Sequence, residues 1–308
     1  MKILVTGGAG FIGSHVAEAY VKEGHDVVVI DNLSSGSVEN LSPNVRFIEA
    51  DVRDESLEKV FKEEKFDIVN HHAAQVSVQI SVKDPLFDAR LNILSTVFLL
   101  ELSVKYEVKQ FIFVSSGGAI YGEQEVFPAP ETHKTFPVSP YGISKMSGEH
   151  YCRFYHETYG LKTVSLRYAN VYGPRQSPHG EAGVVAIFSD NLLSGKTAYI
   201  NGSGEQTRDY TFVGDIAHAN VLAVRHELIG TYNIGTGKET TVNQIFDMVK
   251  KSSESPQERK HLEAKKGEQM RSVIDTMLLK NKTNWKPETD IKDGITKTVE
   301  FFKNKSRK

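Results

Sequence analysis

Two side chains in the stretch SPYGISK, Tyr141 and Lys145, stand four residues apart just after a proline. On a helix that spacing stacks them on one face, about one turn apart. The chemistry they would share is proton removal. A phenol of pKa about 10 is a poor base at neutral pH until nearby positive charge lowers that value. A lysine ammonium is such a charge. The same pair also occurs on the solvent faces of ordinary helices, so its meaning depends on its surroundings.

A second candidate is TGGAGFIG, residues 6–13, in which Gly8, Gly10 and Gly13 satisfy GxGxxG and Gly7, Gly10 and Gly13 form a GxxGxxG series. Glycines let a backbone turn tightly and approach a pyrophosphate, whose charge then sits at the positive end of the following helix. Asp31 follows Gly13 by eighteen residues at the end of VVVID, where a carboxylate can accept both ribose hydroxyls of an adenosine. Its charge would repel a 2′-phosphate, so the expected cofactor is NAD rather than NADP. Asp51 closes the next strand and is placed either to reach the adenine or to form a turn. His71 and His72 are neighbours at a strand end, and adjacent strand residues point to opposite faces. Packing or turn roles are therefore expected for them, and no metal site.

These residues need strand ends and helix starts to hold them. The first half alternates short β-branched runs with amphipathic stretches at the spacing of βαβ units. KILVTG, DVVVIDN, VRFIEAD, FDIVNHHAA, KQFIFVSS and TVSLRYANVYG read as strands. Between them, helices are expected over SHVAEAYVKEG, DESLEKVFKEE, a long stretch from Pro85 to Val108, and about Tyr141 to Tyr159. After about residue 170 the rhythm weakens. GPRQSPHGEAGV is loop-like, AIFSDNLLSG looks helical, and a glycine-rich segment leads into GDIAHANVLAVRHEL and TYNIGTG. The expected fold class is α/β, a doubly wound parallel sheet with a smaller, interleaved C-terminal domain. The sheet domain is expected over residues 1–169 plus about 211–237, and the second over about 170–210 plus 238–308. The final KNKSRK reads as a frayed end.

Composition narrows the functional classes. With 308 residues, 37 basic and 39 acidic, the net charge is −2, which gives no general field for nucleic acid or a membrane surface. The single cysteine, Cys152, excludes an internal disulfide and a multi-cysteine metal site, as expected of a reducing cytosol. The apolar run at the start is broken by glycine too early for a signal peptide, and no apolar stretch approaches a membrane span. A soluble, cytoplasmic protein is expected.

Taken together, TGGAGFIG, DNLSSG, HHAAQ, FVSSGGAIYG, SPYGISK, RYANVYGPR and RDYTFVGD resemble the extended short-chain dehydrogenase/reductases, and among them the UDP-glucose 4-epimerase-like enzymes. The motifs run in the family's order from residue 1 to about 240. The resemblance implies a Rossmann domain holding NAD and a smaller domain closing over a nucleotide sugar. It also implies a cytoplasmic homodimer joined through a helical bundle that includes the Tyr141 helix. Tyr141 would take a proton from a sugar hydroxyl, Lys145 would hold the nicotinamide ribose, and Ser116 would hydrogen-bond the hydroxyl. One extra glycine before Tyr121 leaves Ser115 as the other candidate serine. Besides Gly7, Gly10, Gly13, Asp31 and Asp51, cofactor contacts are implied at Phe11, Ile12, Asn32, Ser35, Gly36, Val52, Ala73, Ala74, Gln75, Asn92 and Tyr168. Asn170, Arg208 and Arg271 would anchor the diphosphate. Ser272 falls at a size gate against the sugar's 2-substituent, small enough to admit an N-acetyl group. Before Arg271 the family's proline-rich arm is replaced by HLEAKKGEQ.

The segment beside the serine bears on the reaction. Related 4,6-dehydratases and many UDP-glucuronate decarboxylases carry an acid between the Ser/Thr and the Tyr-Gly, whereas this chain has Gly117, Gly118, Ala119 and Ile120. A site that oxidises a carbon but lacks that acid is suited to returning the hydride to the opposite face. The resemblance thus implies epimerisation at C4 of a UDP-hexose, either UDP-Glc/UDP-Gal or their N-acetyl forms, with uronic acid sugars open. The alternatives are a dehydratase or decarboxylase drawing its acid from elsewhere, and a non-catalytic NAD-sensing protein, which would have no need of Tyr141 and Lys145.

Overall fold

Valine and isoleucine crowd both faces of KILVT and DVVVID, the pattern of strands covered on both sides. In the computed structural model, which describes residues 1–179, 183–264 and 269–305, both lie inside a seven-stranded parallel sheet. Its strands are β1 (Lys2–Thr6), β2 (Asp26–Asp31), β3 (Arg46–Glu49), β4 (Ile68–His71), β5 (Gln110–Ser116), β6 (Lys162–Tyr168) and β7 (Gly230–Ile234). Their order across the sheet is β7-β6-β5-β4-β1-β2-β3. The main helices are α1 (Phe11–Lys22), α2 (Leu57–Glu64), α3 (Ser95–Lys105), α4 (Pro140–Tyr159), α5 (Val184–Leu193), α6 (Val213–Arg225), α7 (Val242–Ser253) and α8 (Ile291–Lys305).

Alternation along the strands gives the sheet two cores. Ile3, Val5 and Val29 pack with Val16, Tyr20 and Ile216 on one face, while Leu4, Val28 and Val69 pack with Phe61, Leu100 and Tyr155 on the other. This is the doubly wound architecture expected. A third core joins α5, α7 and α8 through Phe188, Phe246 and Val299 in the smaller C-terminal lobe.

The strand order reverses at β1, which has β2 on one side and β4 on the other. Ligands of open α/β sheets bind in the crevice outside the carboxyl ends at such a point. Residues 7–10 leave β1 there, and residues 72–75 leave β4 beside them.

Several segments differ from the sequence reading. The long helix from Pro85 is interrupted by a π-helical turn over Arg90–Leu94. Such turns insert one extra residue and recur at functional sites. TVSLRYANVYG divides at Ala169, after which Asn170–Tyr172 pairs in parallel with Tyr210–Phe212. The polar run from Lys251 contains a strand, Arg259–Leu262, that pairs with Ala198–Asn201. Its residues, Arg-Lys-His-Leu, give no apolar alternation. Leu279 and Trp285 join the core of the sheet lobe, so the stretch after residue 238 contributes to both lobes. Helix α8 runs to Lys305, and the last three residues of KNKSRK lie outside the described residues. Among the described residues no helix is long and apolar enough to cross a membrane.

Candidate active site

Helix α4 starts where local chemistry directs it. Ser139 caps the helix by accepting from the Gly142 N–H at 3.1 Å, Pro140 occupies the first turn, and Gly160, at φ +72°, ends it. Tyr141 therefore stands in the first turn and Lys145 one turn later. The Ser116 hydroxyl lies beside that of Tyr141, where it favours the phenolate. Lys145, only 4% exposed, donates from Nζ to the Val114 carbonyl at 2.9 Å. Its ammonium lies 5.8 Å from the centre of the Tyr141 ring and 5.1 Å from that of Phe113.

The two candidate serines face opposite ways, as successive residues of a strand must. Ser115 Oγ donates to Glu149 at 2.6 Å, and Glu149 forms a buried ion pair with Arg167 at 2.7 Å. Arg167 donates to the Tyr121 hydroxyl at 2.8 Å, which in turn donates to Asn233 at 2.7 Å. Ser115 is thus part of a structural network beneath the strand, and Ser116 is the serine beside Tyr141.

Burial pushes the Tyr141 phenol up to about 12, against the pull of the Ser116 hydroxyl and helped by the negative charge of Asp88. Burial brings the Lys145 ammonium down to about 8, with Asp88 opposing it. The expectation that Lys145 makes the phenol more acidic is not met in this structure. Desolvation disfavours both charged forms, and the ammonium spends a hydrogen bond on a backbone carbonyl.

The crevice fits a dinucleotide on three observations. A Cβ on Gly7, at φ +66°, would lie 2.6 Å from the Ala73 nitrogen, and one on Gly13 would lie 2.3 Å from the Gly7 oxygen. A Cβ on Gly36 would likewise come within 2.8 Å of Ala9. Secondly, Gly10 precedes Phe11 and Ile12 without any side-chain cap, leaving first-turn N–H groups for an anion. Thirdly, His72 Nε2 is buried and has no partner. Asp31, 8% exposed, accepts from Ala9 N at 3.0 Å and Leu33 N at 2.8 Å, which orients its carboxylate at the end of β2.

The other cofactor candidates form two groups around this crevice. Asn32 donates to Asp51 at 2.8 Å, next to the exposed Ser35. Arg53, bonded to Asp51 through two nitrogens, holds that carboxyl well below the usual range. Val52 is buried in the core. On the β4 side, Ala73 and Ala74 lead to Gln75, whose backbone exchanges two hydrogen bonds of 2.9 Å with the Asn92 amide. His71 is packed between Thr6 at 2.7 Å and Thr96 at 3.1 Å. The Tyr168 hydroxyl accepts from Asn220 at 2.7 Å. Among the described residues no cluster of three metal-binding side chains occurs.

On the other side of the crevice, Asn170 is exposed, and its Oδ1 lies 3.7 Å from where Gly118 would carry a Cβ. Ser272, 4% exposed, pairs in register with Arg208, whose Nη1 donates to the Thr207 carbonyl at 2.8 Å. Two residues on, Ile274 packs within 2.8 Å of the Cβ position of Gly117, so this segment crosses the end of β5. Arg271 is engaged elsewhere, bonded to both Glu239 oxygens at 2.9 and 2.7 Å and lying 3.8 Å over the Phe127 ring. Of HLEAKKGEQ, residues 265–268 lie outside the described residues.

The sequence reading passed over Glu239 and Asp88. Glu239 carried no motif. Asp88 stands as a lone acid between apolar neighbours, four residues before Asn92, and that isolation was its one signal.

A glycine loop at the switch point of a parallel sheet, with a Ser–Tyr–Lys cluster at a neighbouring strand end, defines a Rossmann enzyme that works with a bound dinucleotide. Residues 3–235 match the NAD dependent epimerase/dehydratase family. A solved UDP-glucose 4-epimerase of Thermotoga maritima, with UDP-glucose, is 49% identical and covers 99% of this chain and 100% of its own, with a TM-score of 0.97. The Thermus thermophilus UDP-glucose 4-epimerase in complex with NAD is 44% identical over 98% and 99% of the two chains, with a TM-score of 0.94. A UDP-glucose 4-epimerase of Mycolicibacterium smegmatis is 42% identical over 100% of both chains. This chain belongs to the NAD-dependent epimerase/dehydratase family.

Proposed function

We propose that the protein interconverts the C4 epimers of a UDP-hexose through a 4-keto sugar. The observation that carries this reading is Ser116 beside Tyr141 at the end of a strand whose next four residues, Gly117 to Ile120, bear no acid. Ser116 holds the sugar's C4 hydroxyl, and Tyr141 takes its proton and later gives it back. Lys145 fixes the nicotinamide ribose and supplies positive charge beside Tyr141. NAD, when bound, supplies the hydride acceptor and donor, and its positive charge favours the phenolate.

Gly7, Gly10 and Gly13 would admit the pyrophosphate and Asp31 the adenosine ribose. Asn170 and Arg208 would anchor the sugar's diphosphate while the keto sugar turns over, and Arg271 would join them by exchanging Glu239 for phosphate. The small Ser272 leaves space for an N-acetyl group, so UDP-GlcNAc/UDP-GalNAc are proposed substrates beside UDP-Glc/UDP-Gal. The enzyme is proposed to act in the cytoplasm as a homodimer. Supporting the dimer, Val78, Ile80, Val82, Leu86 and Leu94 are exposed on helical turns that pack against α4, which itself exposes Ile143, Tyr151 and Phe154.

Purified protein given UDP-galactose without added NAD is expected to form UDP-glucose. In heavy water the product should carry no deuterium at C5, and UDP-glucuronate should release no carbon dioxide. Deuterium at C5 with loss of water would replace this reading with 4,6-dehydration.

A further inference from the structure

Asp88 is completely buried beside the reacting pair. Its two oxygens accept from three side chains: Gln75 Nε2 at 2.8 Å and Asn92 Nδ2 at 3.0 Å on Oδ1, and Ser144 Oγ at 2.6 Å on Oδ2. The donors come from three separate pieces, namely the loop after β4, the π-helical turn and α4. Ser144 directly precedes Lys145. Burying a carboxylate is costly unless its charge is used, and three converging donors hold this one in a single place.

The groups around Lys145 show where its counter-charge comes from. The Val114 carbonyl accepts its hydrogen bond, and the Phe113 and Tyr141 rings lie alongside. Lys145 also acts on His71 and His72, but burial brings each imidazole down to about 3, so both are neutral at physiological pH. Asp88 is the acid whose charge reaches both Lys145 and Tyr141.

We propose that Asp88 is a positioning residue of the reaction, its locked carboxylate serving as the counter-charge that keeps Lys145 an ammonium inside a desolvated pocket. This inference rests on the roles given above to Tyr141 and Lys145. Without Asp88 the site would face a conflict. The burial that encloses Lys145 would strip the proton from the lysine that is proposed to hold the nicotinamide ribose.

Asp88→Asn removes the charge and keeps the scaffold, because the amide oxygen still accepts from Gln75 and Asn92 while its nitrogen donates to the Ser144 hydroxyl. The full chain, purified with its NAD and labelled with carbon-13 at the lysine Cε, is titrated by NMR, with Lys145 assigned by loss of its signal in Lys145→Met. In Asp88→Asn the Lys145 midpoint is expected to fall by about one pH unit or more, and the alkaline limb of kcat should fall with it. Ser144→Ala keeps the charge and loses one hydrogen bond, so it should leave the midpoint in place. Should Asp88→Asn fail to fold, Asp88→Ser makes the same comparison. An unmoved midpoint, or an equal shift in Ser144→Ala, overturns the proposal. Tyr141→Phe separates the two readings. Turnover surviving in that variant defeats the role of the pair, whereas an inactive Tyr141→Phe with an unmoved Lys145 midpoint defeats only the assignment of Asp88.

Discussion

On the β1–β5 side of the crevice, each group proposed to act on a ligand hangs from the end of a long strand or the first turns of a long helix. On the other side, Arg208, Arg271 and Ser272 hang from two-residue strands. Lys145 is 4% exposed, whereas half of the Arg271 side chain is open to solvent. The physics that governs each side differs accordingly. Desolvation sets the proton affinities of Tyr141 and Lys145, and a charged neighbour, Glu239, sets the orientation of Arg271. The first arrangement is rigid and suits a reacting centre. The second is exchangeable and suits a substrate that must enter and leave.

Tyr141→Phe should therefore cost the most, about a thousandfold in kcat, within the usual range for loss of a positioned acid–base group. Steady-state turnover of UDP-galactose measures it, and the comparison breaks if Arg208→Ala lowers kcat by more. Arg208→Ala should instead raise KM for the UDP-sugar about ten- to a hundredfold with little change in kcat, as loss of uniform binding does. The pH dependence sharpens the desolvation side. Lys145, brought down to about 8, is an ammonium below that pH and loses its charge above it, so kcat should decline as pH rises through about 8. Salt should hardly move this decline, because Lys145 is buried. The smallest effect is expected of Glu239→Gln, which frees Arg271 and should lower KM a few-fold. A KM that rises would show Glu239 and Arg271 acting as one structural unit.

How far the sequence could be read followed from how local each feature is. The strands of the sheet announced themselves because residues covered on both faces must be apolar, and α4 because serine, proline and glycine mark helix ends. The strand at Arg259–Leu262 stayed hidden, since its charged side chains lie on an exposed edge and its partner is distant in the chain. The interruption at Arg90–Leu94 was equally hidden, because an apolar helix and one with an added turn residue share almost the same periodicity. Glu239 escaped notice for a different reason, having no relation to Arg271 until two lobe segments meet.

The sequence by itself determined the glycine turn, the acid at the end of the second strand and the shared face of Tyr141 and Lys145, because tight turns and helical spacing are properties of a few consecutive residues. Tertiary structure alone decided that Ser116 rather than Ser115 meets Tyr141, that burial raises a phenol and neutralises two histidines, and that Asp88 stands behind Lys145. Strand facing, solvent exclusion and charge pairing across the chain arise only when distant segments have packed together.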